Sequence, residues 1–155
     1  MRRKDREVKD FDRIADIVKD CDCCRLGLVD GNEAYIVPMN FGFDTAGGKL
    51  SLYFHCAGEG RKLDLLGRNK TVSFEMDTSH ALTTGARGCD WSFKYQCVMG
   101  TGTVTELADR DERIYALNRI MAHYSDCDSW KFDDRYLSVV TILKLSVGTL
   151  SCKEQ

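Results

Sequence analysis

Cys24, Leu26 and Leu28 alternate with Arg25 and Gly27, the pair Asp30-Gly31 follows, and Tyr35-Ile36-Val37 resumes the extended pattern. A period of two sends every second side chain to one face of a strand, and Asp-Gly supplies a residue tolerant of positive φ. The segment therefore predicts a β-hairpin, which commits the chain to a sheet.

Later segments repeat the signal. A loop from Asp44 to Lys49 feeds the apolar run Leu50-Ser51-Leu52-Tyr53-Phe54-His55, and Thr71 to Met76 reads as another short strand. Trp91, Phe93, Tyr95, Cys97 and Met99 alternate with Ser92, Lys94, Gln96 and Val98, and Thr101 to Leu107 extends that pattern across two glycines, where a bulge or bend is expected. Leu137 to Val147 closes the series as a long strand. Helical periodicity appears three times: Val8 to Cys21, a short stretch carrying Leu63, Leu65 and Leu66 that Gly67 or Asn69 can end, and Arg110 to Tyr124. Asp77 to Asp90 is polar and reads as a long loop without assignable structure. Six or seven strands adjacent in sequence, with about three helices at the edges, predict a mostly β fold, an antiparallel barrel or an α+β sheet. At 155 residues the chain suits a single domain spanning 1–155.

Composition narrows the function classes. Hydrophobic residues make up 43% and charged residues 30%, as in an ordinary globular protein. A net charge of −2 lacks the cationic excess that binds phosphate backbones, so no nucleic-acid partner is expected. No apolar run has signal-peptide or membrane-spanning length, which predicts a cytoplasmic protein and no membrane partner. The eight cysteines then read as free thiols rather than a disulfide framework. Cys21-x-Cys23-Cys24 is the one cluster that can recruit a metal or act as a thiol sensor, but adjacent cysteines seldom aim at one ion and no second cluster supplies ligands, so no metal site is expected.

The stretch Tyr53-Phe54-His55-Cys56-Ala57-Gly58-Glu59-Gly60-Arg61-Lys62 carries the chemistry. It leaves a strand, turns on glycines and places two cations at the start of a helix. Unpaired backbone N–H groups, the helix dipole, the forked Arg61 guanidinium and the Lys62 ammonium together suit a phosphate. A solvated basic turn that caps a surface helix accounts for the same spacing. His55 stands beside the turn, and a histidine can titrate near neutral pH, which makes it the candidate for proton transfer or anion binding, or else a partner of the turn backbone. His80, in the polar loop, and His123, on the last helix, are expected to make surface or local hydrogen bonds.

At these residues the chain resembles the pyridoxamine 5′-phosphate oxidase-like flavoproteins, and within them the nitroimidazole-resistance branch. The resemblance runs through Met1-Arg2-Arg3-Lys4-Asp5, Cys24 to Gly31, Tyr35 to Gly42, His55 to Lys62, Tyr95 to Gly102 and Thr149 to Lys153, in that order. It implies a six-stranded antiparallel split β-barrel that forms a homodimer with FMN at the subunit interface. By position, Arg61 and Lys62 would bind the FMN phosphate, with His55 and Cys56 on its phosphate and ribityl side. Val37, Pro38, Met39 and Asn40 would line the isoalloxazine, joined by Tyr95 and Cys97, and Trp130 would reach the partner's flavin. Cys56, Cys97 and Cys152 replace small residues usual in relatives. The resemblance further implies an FMN-dependent oxidoreductase that takes hydride or electrons from a reduced nicotinamide donor and reduces a small electron-poor acceptor, a nitro compound or quinone. The alternative is a split barrel that holds flavin or haem without turnover.

Overall fold

The computed structural model describes residues 3–155. Met1 and Arg2, which open the basic N-terminal motif, lie outside the described residues. The hairpin forms as its pattern demands: β2 (Cys24–Asp30) pairs antiparallel with β3 (Glu33–Met39) from Cys24↔Met39 to Asp30↔Glu33. Its two-residue turn places Gly31 at φ +63°, a region glycine enters without a Cβ clash.

A short strand β1 (Glu7–Val8) and helix α1 (Phe11–Lys19) precede the hairpin, and β4 (Gly42–Asp44), β5 (Ser51–Ala57) and helix α2 (Arg61–Arg68) follow it. The chain continues with β6 (Thr71–Thr83), β7 (Ser92–Glu106), helices α3 (Arg110–Tyr124) and α4 (Asp134–Leu137), and β8 (Val140–Glu154). All the strands join one antiparallel sheet in the order β3-β2-β6-β7-β8-β5-β4, with β1 added to β8. The outermost strands β3 and β4 do not pair, so the curled sheet is a barrel left open along one seam.

Two apolar clusters hold it. The larger fills the inside of the curl: Leu26, Leu52, Phe54, Met76, Val98, Leu143 and Leu145 from the strands meet Ile14, Ile17 and Val18 of α1 and Leu65 and Leu66 of α2. Burying each such side chain contributes about 1.5–3 kcal/mol before entropic costs. The smaller cluster lies outside, where Ala116, Leu117 and Ile120 of α3 and Leu137 of α4 cover Tyr53 and Ile142. β5 and β8 are thus buried on both faces, which explains the unbroken apolar runs Leu52-Tyr53-Phe54 and Ile142-Leu143. Gly42 permits α3 to approach, since a Cβ there would collide with the Arg119–Ile120 backbone.

Several expectations are corrected. Among the described residues there are eight strands rather than six or seven and four helices rather than three; β1, β4 and α4 span two, three and four residues, too few for a period to show. Val8 belongs to β1, where it faces Cys152, and not to the first helix. Leu137 closes α4 instead of opening the last strand, which starts at Val140 and runs on to Glu154. Asp77 to Asp90 is largely an extension of the β6–β7 hairpin: Leu82 pairs with Phe93 beyond a register shift between Thr78 and Ala81, where Ser79 adopts φ +57°. Its residues are polar because this arm is exposed on both faces, so no alternation survives to mark it. The irregularity expected at the glycines of β7 is present, between Thr101 and Gly102.

Candidate functional site

The open seam is where the stretch singled out above comes to lie. β3 is an edge strand with β2 as its one neighbour, so Pro38 can stand opposite Arg25 without costing the sheet an interior hydrogen bond. The end of β3 (Pro38, Met39) and Asn40 face the end of β5 (His55, Cys56, Ala57) across a cavity of about 460 Å³. Lys62 from α2 and Tyr136, Val139 and Val140 from α4 and the start of β8 complete its lining.

α2 enters the site through Gly60, whose φ of +132° an L side chain rarely adopts. No side chain caps the helix; Leu63 N and Asp64 N both donate to Gly60 O, and this end of the helix carries roughly half a positive charge. Lys62 adds a full one. Its ammonium donates to Met39 Sδ at 3.4 Å and reaches the Cys56 thiol, and among the described residues it has no carboxylate partner. Sulfur is a weak acceptor for an ammonium, so this cation is poorly satisfied by the protein.

His55 is half-buried, and its Nδ1 is buried with no hydrogen-bond partner. Burial, reinforced by the nearby Lys62 charge, lowers its pKa, so the ring is neutral at pH 7 and holds one unmet polar atom. Burial pushes the Cys56 thiol up while Lys62 pulls it back. A poorly partnered cation, an uncapped helix end and an orphaned imidazole nitrogen on one cavity can together hold an anion that also hydrogen-bonds.

Of the residues singled out by resemblance, Pro38, Met39, Asn40, His55, Cys56 and Lys62 line this cavity. Five others lie elsewhere within the chain. Arg61 donates through Nε and Nη2 to Asp30 Oδ2 and packs 4.7 Å over the Tyr35 ring, so it ties α2 to the first hairpin. Val37 turns inward against the main core. Tyr95 and Cys97 sit on β7 beside β6, where Cys97 Sγ lies 3.6 Å from Glu75 Oε1 and burial with the neighbouring carboxylates pushes its thiol up to about 12. Trp130 is exposed and fastens its loop to α3 by donating to Asn118 Oδ1 at 2.6 Å. Tyr136 escaped the sequence reading because four-residue α4 is too short for a period to show, and Val139 and Val140 were read as part of the last strand rather than of the site.

The remaining histidines make local contacts, and two of the three clustered cysteines are buried. His80 meets Asp77 at 3.1 Å and stacks on Phe93. His123 bonds the Cys21 carbonyl at 2.7 Å inside a cage of Phe41, Phe43 and Tyr124. Cys21 and Cys24 are buried in the main core, and all eight cysteines are free. Among the described residues no helix is long and apolar enough to cross a membrane.

An antiparallel barrel open at one seam, with a cationic cavity set in that seam, defines a split-barrel protein. A family model described as pyridoxamine 5′-phosphate oxidase matches residues 10–154, and the chain belongs to that family. A candidate 5-nitroimidazole antibiotic resistance protein from Bacteroides thetaiotaomicron VPI-5482 is 31% identical over 96% of this chain and 86% of its own, with a TM-score of 0.83. The same fold recurs at 14% identity in a flavocytochrome from Azotobacter vinelandii (TM-score 0.83; 100% of this chain, 72% of that one). It recurs at 18% in an FAD and haem binding protein from Mycobacterium smegmatis (TM-score 0.80; 97% and 73%). No curated protein matches the chain.

Proposed function

We propose that the seam cavity binds FMN and that the protein is a cytoplasmic FMN-dependent oxidoreductase, passing electrons from a reduced nicotinamide to a small electron-poor acceptor of the nitro or quinone type. The observation that carries the reading is the Lys62 ammonium, which among the described residues bonds only sulfur, beside the uncapped start of α2 and the unpartnered His55 Nδ1. A phosphate satisfies the first two, and a ribityl hydroxyl or a further phosphate oxygen can satisfy the third. Bound flavin supplies the redox chemistry, and the protein's part is to hold and orient it, so no side-chain nucleophile is required. Membership of the oxidase family and likeness to the nitroimidazole-resistance protein point the same way.

The active form is a homodimer. Its interface is the outer sheet face around Arg25, Ile36, Glu75 and Met99, which line a groove of about 670 Å³. Ile36 there is 64% exposed, the kind of uncovered apolar surface that marks an interface. A second copy brought against this face can supply the contacts expected of Tyr95, Cys97 and Trp130.

One observation favours a second reading. His55 places a neutral imidazole in the cavity, a group able to ligate haem iron, and proteins with this fold include one named for haem and one named a flavocytochrome. Titrating the purified protein with FMN and with haemin separates the two. Tight FMN binding, with flavin bleached by NADH or NADPH under argon and restored by a nitroimidazole, supports the oxidoreductase. A Soret band with no uptake of FMN sinks it.

A further inference from the structure

We propose that Tyr136, backed by Phe132, is the ring platform of the cavity: a flat conjugated ring lies on its open side while the phosphate of the same ligand sits at Lys62. This inference rests on the FMN reading above. Tyr136 lines the same cavity as Lys62, Asn40 and His55. Phe132 flanks its ring in an offset arrangement, with centroids 6.4 Å apart and planes 24° from parallel. The residue is nonetheless 42% exposed, and its neighbour Val139, also on the lining, is 67% exposed. Apolar surface of this extent on the wall of a cavity is what a bound ring removes from water.

The mount is firm. Arg113 of α3 donates to the carbonyls of Leu137 and Val140, the latter at 2.7 Å, which fixes the backbone on both sides of Val139. Asp133 caps α4 by accepting from Arg135 N at 2.7 Å, and Leu137 anchors the helix in the outer cluster. The platform therefore does not have to be ordered by the ligand, a cost that a loose loop would impose on binding. The lining combines two unlike chemistries, the Lys62 cation and the exposed apolar surface of Tyr136 and Val139. Free phosphate or a small acid meets only the first; a phosphorylated flat heterocycle meets both.

The test compares FMN, riboflavin and inorganic phosphate on the wild type, Tyr136→Ala, Tyr136→Phe and Lys62→Ala proteins. Tyr136→Ala should weaken FMN and riboflavin by about three- to tenfold and leave phosphate unchanged, while Tyr136→Phe, which keeps the ring, retains full affinity. Lys62→Ala should weaken FMN and phosphate but spare riboflavin. Unaltered FMN binding by Tyr136→Ala alongside an impaired Lys62→Ala overturns the platform and leaves the phosphate seat standing. Equal loss of phosphate by Tyr136→Ala also overturns it, since the change then acts through the fold. If neither variant affects FMN, the FMN reading falls with it.

Discussion

Arg61 gives both Nε–H and Nη2–H to a single oxygen of Asp30, at 2.9 and 2.7 Å, and so the two adjacent cations at the head of α2 serve different ends. Arg61 joins the helix to the first hairpin, and Lys62 faces the seam. The expected outcome is a split between two neighbours: Lys62→Ala should lower FMN affinity about tenfold or more, as befits a lost charge-assisted contact, while Arg61→Ala changes it less than about threefold. Isothermal titration of both variants checks this, and equal losses would mean that Arg61 leaves Asp30 when ligand arrives.

Acid should loosen the fold through its buried imidazoles. Burial lowers the pKa of both His55 and His123 below the ordinary 6.5, with the Lys62 charge adding to the effect at His55. The unfolded chain therefore takes up more protons as pH falls past 6.5, and the stability present above that value is lost on the way down to the depressed folded pKa. Urea midpoints should decline from about pH 7 to about pH 5, and the decline should be shallower in His123→Gln. An unchanged slope in that variant would clear His123 of the effect.

Two glycine substitutions should act in opposite directions. Gly42→Ala drives a methyl group into the Arg119–Ile120 backbone, which cannot swing aside, and should cost about 1–3 kcal/mol or more. Gly67 lies in α2 with nothing near its missing Cβ, so Gly67→Ala should stabilise by about 0.5–1 kcal/mol. Chemical denaturation of the two variants reads both signs at once.

The thiols should report on the site. Cys89 and Cys127 are exposed and should be alkylated first by iodoacetamide in the native protein. Cys21, Cys24 and Cys152 are sealed in the core, with burial raising each thiol, Cys21 to about 12 and Cys152 to about 11, and should react only on unfolding. Cys56 lies on the cavity, so saturating FMN should slow its labelling, followed by peptide mapping; labelling of Cys56 at the same rate with and without FMN would place the cofactor elsewhere.

The strand period of β2 was legible because it has one wet and one dry face, whereas the β7 alternation marked a strand but not its buried face, since Val98 and not Met99 is fully buried. The arm beyond Thr78 was legible only on its returning side, where Trp91 and Phe93 open the β7 alternation; on the outgoing side both faces are in water and exposed Leu82 has no contrast to display. Lys62, His55 and Pro38 to Asn40 could be named from the sequence as members of one site, through the order of motifs rather than any spacing. What separated Arg61 from Lys62 was the position of Asp30, thirty-one residues away and across the fold. Tyr136 was hidden for a related reason: its place on the cavity follows from Arg113 gripping the Leu137 and Val140 carbonyls, a contact no local pattern encodes.

The sheet ends at β3 on one side and β4 on the other, and the cavity is lined from both flanks of that gap, by Pro38 to Asn40 and by His55 to Ala57. A ligand held there does for the barrel what a missing strand would do, bridging two edges that share no backbone ladder. Binding energy is then folding energy: at a concentration a hundredfold above its dissociation constant the ligand adds about 2.7 kcal/mol to stability. Amide exchange on adding FMN should slow most in β3 and at the end of β5, the result expected if the proposed cofactor acts as the keystone of an arch that the chain alone leaves open.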